Sequence, residues 1–316
     1  MMLNNKENLR PLDFKDFPGQ EKIKERLKIF LSASKKRGES LDHCLFSGPP
    51  GLGKTTLAQI IAHHQGVGFR ATTGPAIRRK GDLAALITTI QKGTVLFIDE
   101  IHRLLKDVEE YLYTAMEDFY IDVMTGEGLG AKSVRFKLPP FTLIGATTRI
   151  GLLNAPFRDR FGIVERLSYY DEESLKMIIK RSSLFLKVNI DEAGALEIAK
   201  RSRGTPRVAN RLLKRIRDYM EVKNHKTLNQ KLVSDGLSQL GIDEKGLTYM
   251  DKKILQLMQR EFNSGPVGID ALASSLNEDT GTIEDVYEPF LVQQGFIQRS
   301  PKGRILTPEG KSYIKN

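Results

Sequence analysis

One cysteine in 316 residues leaves no internal disulfide to staple a fold. Cys44 lies in the apolar run His43-Cys44-Leu45-Phe46, which reads as a buried strand, so its thiol is expected to pack rather than react. No uninterrupted apolar stretch approaches the ~20 residues that span a bilayer, and Met1 to Arg10 lacks the apolar core of a signal peptide. A cytoplasmic protein is therefore expected. The five histidines, His43, His63, His64, His102 and His225, lack cysteine or carboxylate partners at ligand spacing, which argues against a zinc-type centre. Internal repeats and low-complexity tracts are absent. Acidic residues are also in deficit, 39 against 49 Lys and Arg, giving a formal charge of +10 and a pI near 9.5. That balance favours a polyanionic partner wherever the cations cluster. With 40% hydrophobic residues, extensive disorder is disfavoured, and the length suits two or three domains.

What is present is a phosphate-binding loop. Gly48 to Thr55, inside Ser47-Gly48-Pro49-Pro50-Gly51-Leu52-Gly53-Lys54-Thr55-Thr56, fits G-x-x-x-x-G-K-[ST]. Its glycines let backbone N–H groups turn around a triphosphate in a nest that runs into a helix N-terminus. Lys54 then reaches the β- and γ-phosphates and Thr55 a Mg²⁺ ion. The strand before the loop and the helical spacing of Leu57, Ile60 and Ile61 after it supply the required context. Upstream, Ile23, Leu27, Phe30 and Leu31 mark one face of a helix.

Downstream, β and α signals alternate. Phe69 to Thr73 reads as a strand, Leu83, Leu86, Ile87 and Ile90 as a helix face, and Leu104, Val108, Leu112, Ala115 and Phe119 as another. Thr94 to Ile98 and Phe141 to Ala146 are continuous apolar runs, the mark of strands buried on both faces, and Ile163 to Leu167 is a fifth candidate. These predict an α/β domain with a five-stranded parallel sheet and helices on both faces, its ligand at the carboxyl ends of the strands. Ile121 to Gly128 and Lys132 to Leu138 break the alternation and read as a β-hairpin around a Gly-rich turn. A plain surface loop and a partner contact through Val123, Met124 and Leu129 are equally weighted from the residues alone.

From Asp171 the strand pattern stops and helical spacing takes over, through Leu175, Ile178 and Ile179, then Ala195, Leu196, Ile198 and Ala199, then Val208, Leu212, Leu213 and Ile216. After a polar hinge at Gly241 to Gly246, three helices and a hairpin around Ser300-Pro301-Lys302-Gly303 follow the order of a winged helix, a nucleic-acid-binding module. The expected domains are 1–168, 169–243 and 244–316.

Asp99-Glu100 ends the third strand. Mg²⁺ needs a carboxylate and water needs a base beside it, so Asp99 is assigned to the ion and Glu100 to the attacking water. In Gly204-Thr205-Pro206-Arg207, Thr205 suits an N-cap and Pro206 the first helical position, which puts Arg207 in the first turn. A cation there opposes the helix dipole and wants an anion. Eight Lys or Arg and no Asp or Glu lie from Lys200 to Arg217, a face of which part is expected to meet a neighbouring subunit or DNA. In the last domain the presumed recognition helix carries Glu284, Asp285 and Glu288, so DNA contact is expected through the wing, with Arg299 and Arg304 on phosphates.

Together Asp42-His43, the phosphate loop, Leu96-Phe97-Ile98-Asp99-Glu100-Ile101-His102-Arg103, Gly145-Ala146-Thr147-Thr148-Arg149, Arg158-Asp159-Arg160-Phe161-Gly162 and Arg203-Gly204-Thr205-Pro206-Arg207 resemble the AAA+ ATPases, and within them the RuvB family of branch-migration motors, from Arg10 to Leu306. The resemblance implies an AAA+ P-loop NTPase domain, a small helical lid and a winged helix. It implies a DNA-dependent ATP hydrolase that uses ATP/ADP and Mg²⁺ to drive migration of Holliday junctions in recombination, repair and the SOS response to DNA damage. It further implies a homohexamer on double-stranded DNA, holds RuvA through the 121–138 hairpin, and admits RuvC as another partner.

For single residues, the resemblance makes Arg160 an arginine finger acting in trans, with Arg158 as understudy, and Lys54 and Glu100 catalytic. Thr148 takes the first-sensor role, where most AAA+ proteins have Asn, and Arg207 the second. Gly51, Leu52, Gly53, Thr55 and Thr56 line the phosphates, Leu9, Arg10 and Tyr170 border the nucleoside, and Glu117, Asp118 and Phe119 join the nucleotide contacts. The alternatives are a clamp-loader type of AAA+ ATPase and a non-hydrolysing, nucleotide-gated DNA-binding regulator, against which Glu100 and Arg160 argue.

Overall fold

The apolar runs become strands in the computed structural model, which describes residues 9–125 and 132–315. β1 (Cys44–Ser47), β2 (Phe69–Thr73), β3 (Val95–Asp99), β6 (Thr142–Thr147) and β7 (Ile163–Arg166) form one parallel sheet in the order β2-β3-β6-β1-β7. Every residue of β1 and β6 is buried, as expected for inner strands covered on both faces, whereas edge strand β7 alternates buried and exposed. Between them run α1 (Glu21–Arg37), α2 (Lys54–Gln65), α3 (Lys80–Ile87), α4 (Lys106–Glu117) and the short α5 (Ala155–Arg158).

The core on one side of the sheet joins Leu83 and Ile87 of α3, Val108, Leu112 and Ala115 of α4, and Leu96, Ile98 and Leu143 of the strands. In α1 the buried stripe is Ile23, Leu27, Leu31 and Ser34, while Phe30, expected on that face, is exposed. Spacing of four, four and three keeps the stripe on one side, and residue 30 falls beside it.

His43 explains why Asp42-His43 precedes the loop strand. Its Nε2–H donates to Met116 O at 3.0 Å and its Nδ1 accepts from Leu143 N at 2.9 Å, tying β1 to the end of α4 and to β6. Burial lowers its pKa against the backbone bond and Asp42, so the ring serves as a neutral bridge. Burial pushes the neighbouring Cys44 thiol up, in line with packing rather than reaction.

The predicted hairpin is β4 (Tyr120–Thr125) paired antiparallel with β5 (Lys132–Lys137). The Gly126 to Gly130 turn, Leu129 and the side chain of Met124 lie outside the described residues. Val123 packs against the core, so it is not the exposed contact expected; Val134 (45%) and Phe136 (49%) of the outer strand are exposed instead.

Two compact units emerge. The chain up to Phe185, together with Thr205–Arg207, forms one; Leu186–Gly204 with the chain from Val208 onward forms the other. The first therefore takes most of α6 (Glu172–Leu186). The second holds α7 (Glu192–Lys200), α8 (Pro206–Val222) from Val208 on, and α9 (Gln230–Gln239), whose core includes Ile198, Leu212, Leu213, Ile216 and Leu237. It continues with α10 (Tyr249–Arg260), α11 (Ile269–Leu276), α12 (Thr280–Thr282), a π-helical turn (Ile283–Tyr287), α13 (Glu288–Gln293), and the hairpin β8 (Ile297–Ser300) and β9 (Gly303–Leu306). The π turn sits just before Pro289, which has no N–H to offer a regular ladder. Val267 adds a third short pairing to Arg304, and α14 (Pro308–Lys315), not anticipated, closes the chain.

Gly241 to Gly246 is not the loose hinge its composition suggests. Asp243 Oδ1 accepts from Lys245 N at 3.0 Å and Leu247 N at 2.8 Å, and its other oxygen is paired with Lys252 and the Tyr313 hydroxyl. The basic run of 200–217 is likewise partly internal: Arg201 is buried and bonded to Glu197, Ser234 and Ile242 O.

Candidate functional site

Lys54 opens α2 directly after the Gly53 turn and is buried. Its ammonium donates to Gly48 O at 2.7 Å and Pro49 O at 2.9 Å. Burial draws its pKa down to about 8, against the pull of Asp99 and with a further push from Arg207. A cation held this way favours any arriving phosphate.

Gly51, at φ +81°, shows what closes the loop from above. A Cβ there would lie 2.8 Å from both Thr205 Cγ2 and Arg207 Cβ, and Arg207 N points to Gly51 O at 3.4 Å. Thr205–Arg207 thus rests on the phosphate loop, with the Arg207 side chain exposed at the site. Leu52 is fully buried, leaving only its backbone for a ligand. The Tyr170 hydroxyl donates to Leu52 O at 3.0 Å, and the Phe17 and Tyr170 rings meet edge to face at 6.5 Å beside Gly53. Leu9 O accepts from Arg181 at 2.8 Å, and Arg10 is exposed.

Asp99 ends β3 and accepts from Glu100 N at 3.0 Å. Glu100 has φ +51°, a left-handed conformation costly for a residue with a Cβ and characteristic of functional positions. Its carboxylate pairs with Arg103 at 3.0 Å. Sequence reasoning missed this partner, although the i, i+3 spacing was a usable signal. It also missed His102 as a structural link: the Thr147 hydroxyl lies 3.0 Å from His102 Nδ1 while accepting from Arg149 N at 2.9 Å. That ties the end of β6 to the turn after Glu100, and leaves Thr148 exposed next to it.

Arg160 stands apart. Its partners are Glu117, with Nε 3.1 Å from Oε1, Pro156 O at 2.6 Å and the Tyr113 ring, 4.1 Å beneath the guanidinium; none belongs to the phosphate loop. The Nε–H is buried and makes no hydrogen bond of its own, so the directed contact of the pair is Nη2 donating to Glu117 Oε2 at 3.4 Å. Of Glu117, Asp118 and Phe119 at the end of α4, Glu117 pairs with this arginine, Asp118 is exposed, and the Phe119 ring packs on the core against His43 and Phe141. No cluster of three metal-ligating side chains occurs among the described residues.

The wing corrects one expectation. Arg304 is mostly buried and pairs with Glu288 at 3.0 Å and Glu284 at 3.0 Å, and Arg299 pairs with Glu288 at 2.6 Å. Glu288 is only 1% exposed, so it needs these cations, and Arg304 is no free phosphate contact. Arg299 keeps an exposed side chain, and Lys302 is exposed at the tip.

Three family models match end to end: the Holliday junction DNA helicase RuvB P-loop domain over residues 9–167, the RuvB AAA lid domain over 170–243, and the RuvB C-terminal winged helix domain over 244–315. The chain is similar to the Holliday junction branch migration complex subunit RuvB of Bdellovibrio bacteriovorus, 60% identical over 97% of this chain and 93% of the relative. Among solved structures it matches the Thermotoga maritima RuvB Holliday junction branch migration motor, 48% identical with a TM-score of 0.87 over 97% of this chain and 98% of that one. A single-site variant of the same motor gives a TM-score of 0.89.

The lowered pKa of Lys54 fixes a pH dependence for nucleotide binding. A phosphate favours charged Lys54 and raises its pKa on binding, so affinity is full below about 8 and falls above it, by up to about tenfold per unit. Titrating nucleotide across this range checks the sign; a flat profile would contradict the assignment.

Proposed function

The chain belongs to the RuvB family, and on that premise we propose how its residues run an ATP-driven motor that migrates Holliday junctions as part of a complex with partner subunits. The observation that carries the reading is the approach of Thr205–Arg207 to the phosphate loop, which brings a second cation to Lys54 and Asp99. In three domains bounded at 168/169 and 243/244, the first binds nucleotide, the second is a lid and the third grips duplex DNA.

Backbone N–H groups of Gly51 to Thr56, with Lys54, hold the phosphates, and Leu9, Arg10 and Tyr170 border the nucleoside. The donor set for Mg²⁺ is one hydroxyl and one carboxylate, Thr55 and Asp99, hard oxygens that suit an ion completed by phosphate and water. An ion held by them would neutralise charge on the phosphates. Glu100, released from Arg103, takes a proton from the attacking water, Thr148 orients it, and Arg207 senses the γ-phosphate.

Arg160 is the trans element. Its pairing with Glu117 away from its own phosphate loop supports a role on a neighbour's nucleotide, with Glu117 and the exposed Asp118 beside it. Such a head-to-tail contact closes a ring, here a homohexamer around duplex DNA. The exposed Val134 and Phe136 of the β4–β5 ribbon suit RuvA, and RuvC would join at the junction. On the wing, Arg299 and Lys302 are the cations available to phosphates.

Arg160→Ala is expected to bind nucleotide normally while DNA-stimulated hydrolysis falls by about 10³-fold or more. Normal turnover would remove the finger from the account. Val134→Ser with Phe136→Ser should lose RuvA in a pull-down and keep its ATPase; undiminished capture would rule out the ribbon. Arg299→Ala with Lys302→Ala should weaken duplex binding and reduce the salt slope by about two. An unchanged slope would show that other cations meet the backbone.

A further inference from the structure

Arg203 has no part in the scheme above, yet it is among the most constrained side chains of the second unit. It takes a left-handed backbone, φ +55°, without being glycine. Its guanidinium, 14% exposed, pairs with Asp251, which is completely buried. Nη1 lies 3.4 Å from Asp251 Oδ1, Nη2 bonds Oδ2, and Nε donates to Gly246 O at 3.0 Å. The plane of the group sits 4.4 Å from the centre of the Phe290 ring.

Each of these partners is a separate part of the winged helix. Asp251 lies in the first turn of α10 and also accepts from Thr248 N at 2.7 Å and the Thr248 hydroxyl at 2.5 Å. Gly246 belongs to the connection from the lid. Phe290 is on α13, the helix whose Glu288 anchors Arg299 and Arg304 of the wing. Only a planar, forked cation fits a carboxylate, a carbonyl and a ring face at once.

Four residues after Arg203 in the chain comes Arg207, on the phosphate loop. The intervening Gly204-Thr205-Pro206 spans at most about 14 Å even when extended, and Pro206 has a fixed φ. We propose that Arg203 is the positioning residue that couples Arg207 to the DNA-gripping domain: displacement of the Arg207 segment by nucleotide is passed to α10 and α13 through the Arg203 fork. The winged helix then follows nucleotide state instead of trailing on a flexible tether. This rests on the reading of Arg207 as the γ-phosphate sensor.

The test uses the full chain with RuvA and a synthetic four-way junction, comparing Arg203→Ala, Arg203→Gln and Arg207→Ala with the parent. For Arg203→Ala, DNA-free ATPase and duplex affinity should stay within about twofold, while base pairs migrated per ATP fall about tenfold, a usual span for coupling between sites. Arg203→Gln, which keeps hydrogen bonding and loses the charge, should fall in the same direction. Wild-type migration per ATP in a folded Arg203→Ala overturns the proposal, as does a parallel loss of DNA-free turnover, DNA affinity and thermal stability, which marks a fastening without coupling. If Arg203→Ala does not fold, Arg203→Gln is judged by the same criteria. Wild-type DNA-stimulated turnover in Arg207→Ala would instead remove the sensor reading on which the coupling rests.

Discussion

A buried ammonium waiting on two carbonyls organises the first unit. Lys54 is held by Gly48 O and Pro49 O, where burial disfavours its charge, so the loop is preorganised for a phosphate and pays for that in the free state. The rest of the unit serves that position. β1 delivers the loop at the middle of the sheet, His43 fixes β1 to α4 and β6, and β3 brings Asp99 within electrostatic reach. Tyr170 and Phe17 brace the backbone from one side and Thr205–Arg207 from another.

The cations of the motor site therefore divide into two sets. Lys54 and Arg207 belong to the chain that holds the nucleotide, whereas Arg160 is kept by Glu117 and the Tyr113 ring at a different place. With Arg160 in the proposed trans role, such a site would turn over only when a neighbour completes it, and hydrolysis would be a property of the assembly. Glu100, the proposed base, is held in its pair with Arg103.

Strands β1, β3 and β6 were legible because inner strands of a parallel sheet have no polar side to confuse the pattern, and the phosphate loop because its spacing is tied to one geometry. Arg207 could be placed from Thr205 and Pro206 alone. Charge was harder. Counting cations on the wing could not reveal that Glu288, eleven residues before Arg299 and sixteen before Arg304, is buried and takes both as partners. The same blindness hid Arg201 and Arg203 inside a run read as a basic face for a neighbouring subunit or DNA. In the β4–β5 ribbon, alternation marks faces but not which strand packs on α4, so Val123 was expected outside in place of Val134 and Phe136. The eight residues of α14 carry too little periodicity to be seen in advance.

We propose that each active site is shared between two chains. Mixing Lys54→Ala chains with Arg160→Ala chains, each inactive alone, tests it most directly through DNA-stimulated phosphate release. In randomly mixed head-to-tail rings about a quarter of the interfaces pair an intact loop with an intact finger, so activity should return on mixing. A mixture as inert as its components would contradict a shared site.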